Sequence, residues 1–345
     1  MTTDLRQEAL QRIRLNIARH GHHVYLVSGG GPIPRFAYTI GLSETVGAEL
    51  VFAGGAAFVN EELVHIVNRI AEGRRCDRAL DAVFALDALG TFTLRAADTT
   101  WVRGLLLGAT DYYGRDVRAF QIVPDDEHLT IDVPDMRHRW TPAAEPAWRW
   151  HHEAWRFAIP SDSIAATTIA ALQGEPIVEA TRRDEARWEL LADDAAAVKP
   201  ADVRFVPLGI FLGVDDALAS IVELAPEEGL RRDGPRDPWR RWNPPPPAPS
   251  LHVAAFICGH VFHRERPVLL VNHAPDGDWQ LLCGDVHHDG PRLVGLSHVI
   301  DEDESLRAIL DLPEGWEAER ELVGGPWKRR PWSSEEHATW AGEED

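Results

Sequence analysis

Two groups of side chains in this sequence have the types and spacing to do chemistry. The first lies in the C-terminal third, where Cys258 and His260 stand two apart and Cys283 is followed by His287. Two thiolates and two imidazoles, offered as Cys-x-His and Cys-x3-His, have the donor set of a tetrahedral zinc site, with His263 and His288 as substitute ligands. A zinc held by four protein ligands is structural, because no coordination position is left for a catalytic water. The spacing is not that of a standard finger or ribbon, and buried thiols beside exposed histidines are the bland alternative. The second group is N-terminal. His22 precedes a β-prone run, Tyr38 and Thr39 sit in the next one, and Glu49 opens a third. A histidine beside a carboxylate and a tyrosine can act as general acid and base, in a hydrolase or a flavin-type redox site. Gly41, at the end of the second run, would let a ligand or a backbone approach closely.

Other features offer less. Gly29-Gly30-Gly31 could hold an anion on its amides, but it lacks the lysine of a phosphate loop, and a hairpin tip explains it. No GxSxG motif occurs. Cys76 sits among Arg74, Arg75, Asp77 and Arg78 on an expected surface turn, without the histidine partner a nucleophile needs. His151-His152 and Asp193-Asp194 are adjacent in sequence, so their side chains diverge and chelate poorly.

The elements that must position these groups can be read from periodicity. Leu5, Ala9, Ile13 and Ile17 recur every four residues, which predicts a helix ended before Gly21. Residues 23–27 and 34–42 read as a hairpin, and 49–53 as a third strand. Asn60 can cap a helix whose stripe is Leu63, Val64, Val67 and Ile70, with Gly73 as its stop. Residues 91–96, 118–123 and 129–133 are further expected strands. In the C-terminal third, residues 251–262 read as a strand whose alternation would put Cys258 and His260 on one face, beside a strand at 279–283.

That C-terminal third repeats what precedes it. Glu175-Pro176-Ile177-Val178 leads to Arg187-Trp188-Glu189-Leu190-Leu191, as Arg266-Pro267-Val268-Leu269 leads to Asp278-Trp279-Gln280-Leu281-Leu282. Asp215-Asp216-Ala217-Leu218 is matched by Asp303-Glu304-Ser305-Leu306, and Pro238-Trp239-Arg240-Arg241 by Pro326-Trp327-Lys328-Arg329. A long period present twice is a duplicated domain and not a solenoid. The first copy carries no thiol or imidazole near Thr168 and Ala192, so the shared fold does not need the Cys/His set. The expected class is α+β: a mixed α/β domain at 1–139, a Trp-rich connector at 140–164, and a first small α+β repeat at 165–242. A Pro-rich linker at 243–250, a second repeat at 251–332 and an acidic tail at 333–345 follow. Of thirteen tryptophans, Trp140, Trp148, Trp150, Trp155, Trp239 and Trp242 gather near these junctions, where their half-polar rings suit domain seams; a stacking platform for sugars or bases is the alternative.

Composition narrows the function. The net charge of −20, with no Lys/Arg-dense run, excludes nucleic acid and an anionic membrane surface as partners. No apolar stretch is long enough to span a bilayer. Residues 1–19 alternate charged and apolar side chains, and three cysteines make no disulfide framework, so a cytoplasmic protein is expected.

Phe36-Ala37-Tyr38-Thr39-Ile40-Gly41-Leu42 followed by Ala48-Glu49-Leu50-Val51-Phe52-Ala53-Gly54 resembles a bacterial family known as domain of unknown function 4262. The likeness runs through the Asn60 helix to Phe120-Gln121-Ile122-Val123-Pro124-Asp125, over most of residues 10–135. It implies no activity, cofactor or substrate. Cys258-Gly259-His260-Val261-Phe262 and Asp276-Gly277-Asp278-Trp279 resemble C-terminal domains of uncharacterised actinobacterial proteins. The leading expectation is a cytoplasmic bacterial binding or interaction protein for an unidentified protein or small-molecule ligand. The alternatives are an enzyme with its pocket at His22, Tyr38, Thr39 and Glu49, and a zinc-stabilised second repeat.

Overall fold

A computed structural model of the protein describes residues 3–27, 31–76, 83–86, 88–192, 198, 202–244, 254–262, 264–274, 277–285, 292–296, 299–300 and 303–332. The described residues form three six-stranded sheets of mixed direction with short helices between them, an α+β architecture. Asp77, Arg78, Asp193, Asp194, the prolines at 245–249 and the tail at 333–345 lie outside the described residues. The chain divides into two compact units, Met1–Ala197 with Arg204–Pro244, and Val198–Val203 with Pro245–Asp345.

The first unit begins with helix α1 (Thr3–His20), which ends where Gly21, at φ +82°, turns the chain back. Strands β1 (His23–Val27), β2 (Phe36–Ile40), β3 (Glu49–Ala53), β4 (Phe84–Leu86), β5 (Gly90–Ala96) and β6 (Ala119–Pro124) make a sheet ordered β1-β2-β3-β6-β5-β4. All pairs in it with a determined register are antiparallel except β3 with β6. Alternation along β2 and β3 gives each face its own core. Ala37, Leu50 and Phe52 meet Leu63, Ile66, Val67 and Ile70 of helix α3 (Asn60–Cys76). Phe36, Tyr38, Ile40, Val51 and Ala53 share the other core with Ile13 of α1 and with helices α4 (Thr99–Leu105) and α5 (Leu107–Tyr113). Gly73 does not stop α3, which continues to Cys76. Phe84 packs on it, and a Cβ there would lie 2.9 Å from the Phe84 ring, so the glycine serves packing within the helix. Residues 129–133 form turns and no strand, because the carbonyls and amides there are spent on Trp148, Leu172 and one another.

The two repeats have one topology. In the first, β7 (Ile164–Thr168), β8 (Glu179–Arg182), β9 (Arg187–Leu191), β10 (Val203–Pro207), β11 (Gly229–Arg231) and β12 (Arg240–Trp242) are ordered β10-β7-β9-β8-β11-β12. In the second, β13 (Ala254–Ile257), β14 (Leu270–His273), β15 (Trp279–Leu282), β16 (Arg292–Gly295), β17 (Trp316–Glu319) and β18 (Lys328–Pro331) are ordered β16-β13-β15-β14-β17-β18. Strand for strand the orders are the same, and in each the first and third strands of the repeat run parallel.

Both copies keep one buried arginine. Arg232 donates to the Ile177 carbonyl, stands 3.5 Å from Asp215, and lies 4.4 Å from the Trp239 ring centroid. Arg320 donates to the Val268 carbonyl, pairs with Asp303 and Ser305, and lies 4.4 Å from the Trp327 ring. In each case the aspartate also caps a 3-10 turn, through the amide of Ala217 or Ser305. One guanidinium thus ties a strand end, a turn and a tryptophan together, which explains why these residue types recur in both copies.

Elsewhere the copies differ by matched substitutions. A row of paired residues crosses the first sheet as Ala166, Glu189, Thr181, Gly229 and Trp242. The corresponding row in the second is Phe256, Gln280, Asn272, Glu317 and Arg330. In the first, the Trp242 ring lies over Gly229, where a Cβ would come within 2.5 Å of the indole nitrogen. In the second, Glu317 and Arg330 occupy the same two places as an ion pair.

The first repeat is joined to the N-terminal sheet within its unit. Its helix α7 (Leu208–Val214) packs against the turn Pro146–His151, where Trp148 and Trp150 are buried. Trp150 donates to the Gly209 carbonyl at 2.7 Å and Trp148 to the Asp132 carbonyl at 2.8 Å. Gly209 and Gly213 face the backbones of Pro32 and Pro146 so closely that a Cβ on either would overlap a carbonyl oxygen. The matching sequence positions in the second copy are Ser297 and Asp301.

Candidate functional site

The four N-terminal residues divide between the two faces and one end of their sheet. Thr39 and Glu49 come together. Glu49, 0 % exposed, opens β3 directly beyond the end of β2, and its carboxylate collects the donors there. Its Oε2 accepts from the Thr39 hydroxyl at 2.6 Å and the Leu42 amide at 3.3 Å. Its Oε1 accepts from the Ser43 amide at 2.8 Å, the Gly41 amide at 3.2 Å and the Tyr113 hydroxyl at 2.8 Å. The amides belong to the start of the one-turn helix α2 (Leu42–Thr45), so the carboxylate completes a cap that no local side chain supplies. Burial, with the Glu49 carboxylate beside it, raises the Tyr113 hydroxyl pKa, and Tyr113 remains a donor.

Gly41 holds φ +118°, and a Cβ there would meet Ile17 at 3.0 Å and the His22 Cα at 3.2 Å. The close approach inferred for Gly41 is made by the chain itself. Tyr38 lies on the face opposite Thr39. Its hydroxyl accepts from the Gly108 amide at 3.0 Å, its ring stacks on Tyr25 at 5.5 Å, and burial pushes its pKa up to about 12. His22 is buried with its Nε2 against the Asn68 Oδ1 at 2.9 Å, on α3. The structure therefore unites Thr39 with Glu49 and turns Tyr38 and His22 toward other partners. Gly31 is described, while Gly29 and Gly30 lie outside the described residues.

The C-terminal group corrects the expected strand. Strand β13 ends at Ile257, and Gly259–Phe262 forms the one-turn helix α8, with the Phe262 amide donating to the Cys258 carbonyl at 3.0 Å. Cys258 and His260 consequently do not share a strand face. Apolar alternation over Phe256, Cys258, His260 and Phe262 fits a strand, but Gly259 allows the chain to curl at once into a helical turn. The group still converges by another route. Cys258 and Cys283 are 1 % and 4 % exposed and their side chains interact, and Cys283 Sγ lies 3.4 Å from His260 Nδ1. Burial pushes the Cys283 thiol up, which keeps it protonated. Among the described residues no group of three or more His, Cys, Asp or Glu side chains is placed to hold a metal ion. His263, His287 and His288 lie outside the described residues. Cys76 ends α3 and is exposed.

One polar cluster escaped the sequence reading. Asp132 is fully buried and accepts from the Thr130 hydroxyl and from the Ala56 amide at 3.2 Å. Burial raises its pKa, against the charge of Arg35, which itself donates to Asn60 and to the carbonyls of Gly55 and Phe58. Gly54, at φ +75°, has no room for a Cβ because the Asp132 backbone fills the space. The cluster braces residues 54–58 against the chain that leads to the tryptophan seam. Its only sequence signal is the Gly54-Gly55 pair.

The fold defines an α+β protein with a six-stranded N-terminal domain and a duplicated six-stranded domain. Residues 16–129, the N-terminal sheet with α3, α4 and α5, match the model of the family described as Domain of unknown function (DUF4262). No curated protein and no solved structure matches the sequence. Among the described residues no helix is long and apolar enough to cross a membrane.

Proposed function

We propose that this is a cytoplasmic bacterial binding or interaction protein whose N-terminal domain is a recognition module without a catalytic role. The observation that carries this reading is the Glu49 carboxylate. It is the carboxylate among the acid–base candidates in the sequence, and five donors fix it as the cap of α2 and the clamp between β2, β3 and α5. A general base has to present a lone pair to substrate, and these contacts consume the oxygens. The same domain also offers apolar side chains to solvent. Tyr25 is exposed and stacks on Tyr38, and Leu107, also exposed, precedes Gly108, whose amide donates to the Tyr38 hydroxyl. An exposed aromatic and an exposed aliphatic side chain near one rigid tyrosine suit an apolar contact with a partner.

The test is to hold the purified protein against a bacterial extract and follow both phases by mass spectrometry. The proposal expects a compound or protein retained unchanged in stoichiometric amount and released by Tyr25→Ser with Leu107→Ser. Consumption of many equivalents of a compound per chain, stopped in Glu49→Gln, would overturn it in favour of an enzyme.

A further inference from the structure

Two thiols meet in the second repeat, and the first repeat shows that the fold does not require them. Register places Ile257 of β13 opposite Leu281 of β15, so Cys258 and Cys283 follow at the same end of two neighbouring parallel strands. There the two side chains interact, and His260 closes on Cys283 from the first turn of α8. The corresponding positions in the first repeat are Thr168 and Ala192. Thr168 caps the equivalent one-turn helix α6 (Ile169–Leu172) by accepting from the Ala171 amide. A hydroxyl therefore satisfies the turn and a methyl fills the neighbouring site, and both are replaced by sulfur in the copy where they adjoin each other. Cys283 is followed by exposed Gly284 and Asp285, which gives a small reagent one route to the pair.

We infer that Cys258 and Cys283 are a reversible dithiol–disulfide pair, oxidised by low-molecular-weight disulfides. The Cys283 thiol gives its proton to the His260 imidazole 3.4 Å away and attacks the reagent, forming a mixed disulfide and releasing one reduced thiol. The Cys258 sulfur then attacks the Cys283 sulfur and expels the second. Two protein thiols give up two electrons to the reagent disulfide, which leaves as two thiols carrying the two protons. The bond links the ends of β13 and β15 and fixes the start of α8.

The experiment uses the full chain carrying Cys76→Ser, since Cys76 is exposed, treated with oxidised glutathione and read by intact mass and peptide mapping. The expected product has lost two hydrogens, carries a 258–283 cross-link with no retained glutathione, and returns to the dithiol with reductant. Cys258→Thr, which installs the residue the first repeat uses, should stop at one glutathionyl group on Cys283. Cys283→Ala should take up none. A mixed disulfide that persists with Cys258 present would refute the pairing. So would two thiols left unreacted in the folded chain and alkylated only after denaturation. One zinc ion in the native mass, released by chelator together with thiol reactivity, would replace the redox pair with a metal site.

Discussion

Replacing Glu49 by alanine tests whether its carboxylate is an anchor or a reactive group. The substitution removes one buried charge and strands the hydroxyls of Thr39 and Tyr113 and the amides of Gly41, Leu42 and Ser43. Hydrogen bonds to a charged group contribute roughly 1.5–3 kcal/mol each. Only three of the five are 2.8 Å or shorter, and the Gly41 amide keeps the Tyr113 oxygen at 2.8 Å as an alternative acceptor. Allowing for that rescue, Glu49→Ala should cost roughly 4 kcal/mol, in the range for breaking up a buried ion's partners. Glu49→Gln keeps one acceptor oxygen but points amide hydrogens at existing donors, and should cost roughly 2 kcal/mol. With a urea slope of about 3 kcal/mol per molar for a unit of this size, the midpoints fall by roughly 1.3 M and 0.7 M. The assay is urea unfolding followed by tryptophan fluorescence, since Trp101 and Trp148 lie in the core that shares this sheet. An alanine variant within about 0.5 kcal/mol of the parent, the range of an ordinary surface change, would refute the anchor.

Gly209→Ala should destabilise the first unit by roughly 3 kcal/mol or force its repeat off the N-terminal domain, because the new Cβ overlaps the Pro32 carbonyl; limited proteolysis and calorimetry would show either. Arg320→Met should cost roughly 3–5 kcal/mol and Arg232→Met less, since Asp303 is largely buried against its arginine whereas Asp215 is more exposed and 3.5 Å away; equal losses would contradict that ranking. Asp125 has its pKa lowered to about 2. Burial acts to raise it, but the Thr91 amide, His128 and the Thr91 hydroxyl outweigh that. Its folded pKa lies below its unfolded value of about 3.9, so its stabilisation is present above pH 4 and is lost as pH falls toward 2. Asp125→Asn should flatten acid unfolding between those limits, with only a modest change at pH 7 because the carboxylate is partly solvated.

The duplication and the strands of the N-terminal sheet were legible because both are written in local pattern: repeated tryptophan–leucine spacing, alternation along residues 34–42, and a short apolar run at 49–53 closed by Gly54-Gly55. The roles of the polar residues were not. Thr39 and Glu49 could be paired as neighbours across a hairpin, but Tyr113 reaches Glu49 from 64 residues away and leaves no local trace. Periodicity assigned Cys258 and His260 to a strand because a one-turn helix is too short to register a 3.6-residue period. Gly73 read as a stop because its reason, the Phe84 ring, lies on a different element.

The exchange of Gly229 and Trp242 for Glu317 and Arg330 limits how the two copies can trade material. Moving β17 alone into the first repeat would press a carboxylate into an indole. Moving β11 alone into the second would leave Arg330 facing an empty backbone. Neither intermediate is as well packed as either parent, so the smallest segment that can pass intact between the copies is the whole β11–β12 or β17–β18 hairpin. Gene conversion between the two halves of this chain, or shuffling in the laboratory, is therefore expected to yield folded products only when its breakpoints fall outside those hairpins.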